Sequence, residues 1–413
     1  MDVAAIDQAI TDHAASLLLR YFNAPEAARA ARPAVSIERD RELLRLHWAL
    51  SPAVTDLVAY ILSHRHEIQS VLGTARRVED GIVRGRLDAV GTLRARRMSG
   101  LATAVVSHEP LRSYDSGPNQ VLGWVISQAW SLASRFVSLV VESSAYRARL
   151  DEMTQRLEQV RRIDAVRQIA SQATLGQRPK ANALLEAERS RRTMYHKAAT
   201  AFRALLLIES GDPEAIVTML RHTLLAPLEP WRRYELAVAY SLAETLADRQ
   251  GTAMILNFIV GDIRVPIAQA GRCAVYWQWR TKHYAPPPLE PSEQVSQAIW
   301  AAYGLGAAPD RPDLVVVDSV AATVLAIVEV KYLTGESAAD RVRSAVTQLV
   351  RYARGYGPLA GIEPLLGRCL IAVSQGLGGI APVDPRPAGT PSLVDFAGIQ
   401  SRALDRWADE LLS

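Results

Sequence analysis

Asp313, Glu329 and Lys331 stand at the two ends of one short segment, PDLVVVDSVAATVLAIVEVKY, residues 312–332, with almost wholly apolar runs between them. If the turn centres on Ala321, Asp313 faces Glu329 across an antiparallel pair. Side chains alternate along a strand, so Lys331 shares the face of Glu329. The runs around Leu314–Val317 and Leu325–Val328 are apolar on both faces, which suits a covered central sheet. Pro312 cannot donate to a ladder and fits only at a strand's start. Two facing carboxylates repel unless a cation lies between them. Carboxylates plus water are how proteins hold Mg²⁺, and Mn²⁺ takes similar oxygen ligands. A lysine beside such an ion orients an attacking water, helps to deprotonate it, or stabilises charge on a phosphate. The plainer alternative is an Asp–Lys or Glu–Lys ion pair at the rim of a sheet.

The rest of the chain must position these groups. Helical spacing runs from Ile37 to about Leu72, and glycine-rich short runs from about residue 78 to 117 read as a few strands. From Pro118 the pattern is helical to about Leu224, broken at GQRPKA and LAPLEP. After Pro230 come a helix (WRRYELAVAYSLAETLADR), β-rich AMILNFIV and RCAVYWQWR, a Pro-rich connector and the helix SEQVSQAIWAAYGL. The hairpin follows, then the helix SAADRVRSAVTQLVRYARGY, the apolar strand RCLIAVSQG, a loop tail and a short amphipathic helix. No internal repeat of solenoid length is evident. The expected organisation is α/β in the α+β multidomain sense: an N-terminal α+β module (1–117), a helical domain (118–229) and a C-terminal domain (230–413).

Pro312-Asp313, about fifteen residues, then Glu329-Val330-Lys331 on an apolar strand resembles the PD-(D/E)xK nuclease superfamily. The order helix, strands, hairpin, helix, strand resembles that family's restriction-endonuclease-like α-β-β-β-α-β core. The resemblance implies a metal held by Asp313, Glu329 and the backbone carbonyl of Val330, with Lys331 positioning water. It also implies a Gln and an aromatic residue one turn apart on the next helix, supplied here by Gln348 and Tyr352 beside a stripe of Val342, Val346, Leu349 and Ala353. A third acid from the core's first helix is expected as well. Glu235 falls within the apolar stripe Trp231, Val238, Leu242 and Leu246, where an unpaired acid is costly. Glu293 is the alternative, although in a first turn an acid simply complements the helix dipole.

GIVRGRLDAVGTLRARR, then SHEPLRSYDSGPNQVLGWVI, resembles the region upstream of the nuclease in McrC-type proteins, the nuclease subunits of modification-dependent restriction systems. Asp115-Ser116-Gly117-Pro118-Asn119 stands where that family has D-T-P-E-N, and Tyr234-Glu235 matches its helix before the hairpin. The family usually has D-x-K where this chain has Glu329-Val330-Lys331. The likeness spans about residues 70 to 356. It implies a metal-dependent DNA endonuclease working with a separate NTPase or helicase in prokaryotic restriction or antiviral defence. Arg84, Arg86, Arg94, Arg96 and Arg97 belong to a run of seven arginines against three acids between Arg76 and Arg97, a candidate phosphate-contacting surface.

Composition fits this reading without demanding it. Net charge is +4, hydrophobic residues make up 49% and charged residues 22%, as in an ordinary globular protein. Two cysteines support neither a disulfide framework nor a thiolate zinc site. No apolar run approaches a membrane span, and the acidic N-terminus is no signal peptide, so a cytoplasmic protein is expected, with a homo-oligomer one of its possible states. G-x-x-x-x-G-K-(S/T), H-E-x-x-H and G-x-S-x-G are all missing, so an ATPase of its own, a zincin site and a serine nucleophile have no support. The rival readings are a nuclease fold that binds DNA or assembles without cutting, and a helical scaffold whose hairpin charges are rim salt bridges.

Overall fold

A computed structural model describes all residues except 1–2, 25–33, 138–144, 173–176, 258–264, 280–286, 304–310, 335–336, 361, 378–379, 381–386 and 388. The end of AMILNFIV and the first two residues of the Pro-rich connector lie outside the described residues. The chain begins with helices α1 (Val3–Phe22), α2 (Ala34–Ala49) and α3 (Pro52–Ser63). Then come β1 (Val71–Asp80), β2 (Arg86–Leu87), α4 (Ala89–Ser99), β3 (Ala104–Ser113) and α5 (Gly117–Val137). A helical run follows: α6 (Ala145–Arg161), α7 (Asp164–Gln172), α8 (Ala181–Arg189), α9 (Thr193–Ser210), α10 (Pro213–Leu220) and α11 (Pro230–Gln250). Next are β4 (Met254–Leu256), β5 (Ala268–Ala270), β6 (Cys273–Trp277), α12 (Pro291–Ala302), β7 (Leu314–Asp318) and β8 (Thr323–Lys331). The chain ends with α13 (Ala338–Ala360), α14 (Ile362–Arg368), β9 (Leu370–Val373), β10 (Ser392–Asp395), α15 (Phe396–Gln400) and α16 (Leu404–Leu412). The fold is mixed α and β with two sheets, and among the described residues no helix is long and apolar enough to cross a membrane.

Two compact units result. One comprises Met1–His47, Val140–Ala148 and Leu207–Ser413, and the other Trp48–Leu139 and Arg149–Leu206. They interleave along the chain, whereas the expected segments 1–117, 118–229 and 230–413 were contiguous.

In the first unit, a seven-stranded sheet has the order β10-β9-β8-β7-β6-β5-β4. The pairs from β4 to β8 are antiparallel, and β9 pairs parallel to both β8 and β10. β7 is buried along its whole length, as its two-faced apolar pattern demands. Helix α13 covers β8 through a core of Ile327, Ala345, Leu349, Tyr352, Ala353, Tyr356, Leu365, Cys369, Ile371 and Val373. Val346, expected in that stripe, is exposed; Ala345 and Tyr352 take the inward positions. α11 starts on Pro230 in its first turn and stops at Gly251, whose φ of 59° closes the helix. It is buried almost all round and packs against β4, β5, β6 and β8. Trp231, expected on the inward stripe, is exposed instead, one turn above Glu235. α1 packs along α11 through Arg233–Asp7 (2.9 Å), His13–Ser241 (2.9 Å) and Arg20–Glu244 (2.7 Å).

The second unit holds a three-stranded antiparallel sheet ordered β1-β3-β2. GTLRARRMS, expected as strand, is helix α4. Asp88 caps it by accepting the Gly91 N–H at 2.8 Å, and Gly100 ends it at φ 72°. Asn119, from the D-S-G-P-N stretch, is fully buried. It donates to the carbonyls of Gln69 (2.8 Å) and Tyr114 (3.0 Å) and accepts from the Tyr195 hydroxyl at 2.7 Å.

Candidate metal centre

β7 and β8 pair as Leu314↔Val328 and Val315↔Ile327, so the register places Asp313 opposite Glu329. A bulge between Val316 and Val317 shifts the far half, and the turn centres half a residue before Ala321. Asp318 holds that turn, accepting the N–H groups of Val320 and Ala321, each at 2.9 Å. This fourth charge is therefore a turn cap at the opposite end of the hairpin.

At the site end, Lys331 Nζ donates to Glu329 Oε2 and lies 3.5 Å from Asp313 Oδ2. The same Asp313 oxygen accepts the Val330 N–H at 2.8 Å, which fixes the acid against β8. Exposure falls from 20% at Asp313 to 12% at Lys331 and 1% at Glu329, so the cluster opens at the Asp313 edge. Glu329 Oε1 is buried and has no hydrogen-bond partner, a costly arrangement for an ionised oxygen.

Glu235 reaches the same end of the sheet from α11. Its Oε2 accepts from Trp277 Nε1 and, at 3.1 Å, from Gln278 Nε2. Gln278 is one of three non-glycine residues with positive φ among those described, at 50°, and its own N–H donates to the Asp313 carbonyl at 2.8 Å. Backbone held in that region costs about 1–3 kcal/mol. Here it ends β6 so that one residue touches both the Asp313 backbone and the Glu235 side chain. Trp277 and Gln278 escaped the sequence reading because the contact depends on β6 pairing with β7, which no local pattern announces.

Burial, and then the charge of Asp313, push Glu329 up to about 8 despite the Lys331 ion pair. The same two causes push Glu235 up to about 8 against the opposing pull of Trp277, Gln278 and Lys331. Burial works against the Lys331 charge, but Glu329 and Asp313 outweigh it and raise its pKa. Three carboxyl groups thus share one ammonium, and the cluster is short of positive charge.

Among the described residues no three His, Cys, Asp or Glu side chains form a group able to enclose a metal by themselves. Lys331 stands between the two acids instead. Mg²⁺ asks for less, using one or two carboxylates and its own water. The orphaned Glu329 oxygen and the charge deficit suit that smaller set, with Asp313 and Glu329 as the oxygen donors and the Val330 carbonyl beside them.

The other candidates separate. Glu293 accepts the Glu290 N–H at 2.9 Å and pairs with Arg351 at 3.6 Å, a helix-capping arrangement. Tyr352 is buried in the core, and its hydroxyl donates to the Arg311 carbonyl at 3.1 Å, bracing the segment that leads into Asp313. Gln348, one turn away, is half-buried with an unpartnered Oε1. The arginines lie in the second unit. Arg84 pairs with Glu79 at 3.2 Å, Arg96 donates to the Ala104 carbonyl at 2.9 Å, and Arg86, Arg94 and Arg97 are exposed.

A family model described as tetratrico peptide repeat matches residues 139–242, a stretch whose described parts are α6 to α10 and the first half of α11. No curated protein matches the chain. Among solved structures, one from Thermococcus gammatolerans, a refined half-complex from a tetradecameric assembly of McrB AAA+ hexamers with bound McrC, is similar at 12% identity and a TM-score of 0.25. That likeness covers 97% of this chain and 74% of the other.

Proposed function

We propose that this protein is a Mg²⁺-dependent DNA endonuclease whose restriction-endonuclease-like core is the first unit's seven-stranded sheet with α11 and α13. The observation that carries the reading is the Asp313–Lys331–Glu329 cluster, held at one end of a buried sheet with a carboxylate oxygen that has no partner. Asp313, Glu329 and the Val330 carbonyl would hold the ion, and Mn²⁺ would substitute for Mg²⁺. The bound ion supplies Lewis acidity toward the phosphodiester and acidifies water. Lys331 orients the attacking water and offsets charge on the phosphate as it gathers in the transition state. Glu235, gripped by Trp277 and Gln278, would join the metal site through water. Gln348 flanks the site and Tyr352 braces the approach to Asp313.

The arginines around β2 and α4 would contact DNA or a partner protein. A separate NTPase or helicase, and a role in restriction of foreign DNA, are proposed from the ordered sequence likeness of residues 70 to 356 to McrC-type proteins. Lys331 gripping both acids also suits the rival in which the fold binds DNA without cutting it. Supercoiled plasmid, Mg²⁺ and purified protein, alone and with its partner NTPase, decide between them. Nicking by the wild type, lost in Asp313→Ala and Lys331→Ala, is expected. A wild type inert under every condition, with no Mg²⁺ binding by calorimetry, would sink the nuclease reading.

A further inference from the structure

The stretch Val275-Tyr276-Trp277-Gln278-Trp279, the end of β6 and the two residues after it, supplies the Trp277 and Gln278 grip on Glu235, and two of its aromatic side chains remain without a role in that chemistry. Tyr276 and Trp279 stack on one another with ring centroids 4.1 Å apart and planes 27° from parallel. Both are partly exposed. The sheet register fixes which face they occupy. Tyr276 pairs with Val315, and Val315 with Ile327; paired residues point to the same face, as do residues two apart on one strand. Tyr276 therefore stands on the face that carries Asp313, Glu329 and Lys331. Strand spacing and rise put its Cβ about 8 Å from that of Asp313. The positive φ at Gln278 turns the chain so that Trp277 stays on Glu235 while Trp279 folds back over Tyr276.

We infer that the Tyr276–Trp279 pair is a stacking platform for an unpaired nucleobase, so that the substrate at this centre is DNA with a single-stranded or flipped-out nucleotide next to the scissile phosphate. This rests on the nuclease reading and sharpens it. Every base has a π-face that stacks on an aromatic ring without regard to sequence, whereas bases inside a duplex present only their edges. A platform about 8 Å from Asp313 is within reach of a neighbouring base and out of reach of one still stacked in a helix.

The test uses the full chain without divalent metal, so that binding is read apart from cleavage. Anisotropy is measured on a labelled single strand and on the same sequence as a duplex. A strand carrying 2-aminopurine, whose emission is quenched on stacking, gives the spectroscopic signature. Trp279→Ala and the volume-preserving Trp279→Leu are expected to weaken single-strand binding about tenfold or more, to change duplex binding less than twofold and to abolish the quenching. Trp279→Phe is expected to restore most of both. Equal losses on the two DNA forms, or single-strand binding unchanged in both variants, would overturn the inference. Wild-type protein that quenches the probe yet never cuts with Mg²⁺ would keep the platform and reject the nuclease reading. Wild-type cutting with no effect of Trp279 on single-strand binding would do the reverse.

Discussion

Glu329→Gln tests the metal argument through stability and needs no knowledge of the substrate. Glu329 is 1% exposed, one of its oxygens has no partner, and burial with the Asp313 charge lifts it from 4.5 to about 8. The folded state thus keeps a proton that the unfolded chain releases near pH 4.5. Stability of the metal-free protein must fall as pH rises from about 4.5 to 8 and stay low above it. Each tenfold change in proton affinity is worth about 1.4 kcal/mol, so the ionised buried acid costs several kcal/mol. Gln keeps the size and an acceptor for Lys331 and removes the charge. At pH 8.5 without metal the variant should melt higher than the wild type, on the order of 5–10 °C for a unit of this size. Mg²⁺ should close most of that gap. An ion at a hundred times its dissociation constant stabilises by about 2.7 kcal/mol, again about 5–10 °C, and the variant should gain almost none of it. Thermal melts across pH 5–9, with and without 10 mM Mg²⁺, provide the readout. A variant less stable than the wild type at every pH, beside a wild type that Mg²⁺ leaves unmoved, would mean that Glu329 serves Lys331 as a plain ion-pair partner.

Three further outcomes follow from the same geometry. Lys331→Ala leaves two acids facing each other, so the metal-free protein should lose about 3–5 kcal/mol in urea unfolding; added Mg²⁺ should return part of it, while plasmid nicking stays at least about 100-fold down. Gln278→Gly relieves the positive φ and deletes one donor to Glu235, so melting temperature should hold or rise while the Mg²⁺ concentration for half-maximal nicking climbs several-fold. Tyr352→Phe removes the hydroxyl bond to the Arg311 carbonyl and should cost about 1 kcal/mol, with nicking slowed by misplacement of Asp313 and restored in part by higher Mg²⁺.

The hairpin was legible because its information is local. Apolar runs on both faces, a proline at the entry and symmetry about the turn put Asp313 opposite Glu329, and the bulge at Val316–Val317 moved only the end away from the site. Where reading failed, the deciding contacts came from elsewhere in the chain. SLVD is an edge strand, β10, because it pairs in parallel with β9, and its loop-rich flank hid it. AQA was missed for its length of 3 residues. Trp231 looked inward on helical spacing alone, but α11 is packed from several sides and its first turn is the part left uncovered. GTLRARRMS looked like strand because of its glycine and Thr, while its real signals were the Asp88 cap and Gly100.

α1 shows most sharply how such a site outruns its sequence. Nothing in MDVAAIDQAI marks it as part of the acid cluster's support, yet Asp7 pairs with Arg233, two residues before Glu235. The Asp7–Arg233 pair is mostly buried, with side chains 23% and 16% exposed, and Asp7 Oδ1 and Arg233 Nε have no hydrogen-bond partners. A buried pair of this kind adds little stability by itself, but breaking it leaves a bare charge and is expensive. It ties α1 to the first turns of α11, two residues before Glu235. The third acid is therefore placed by contacts between separate elements, Trp277 and Gln278 on its carboxylate and Asp7 on its helix, whereas Asp313, Glu329 and Lys331 are set within one hairpin. That difference in range is why three of the acid–base groups could be read with their register and the fourth only as one of two candidates.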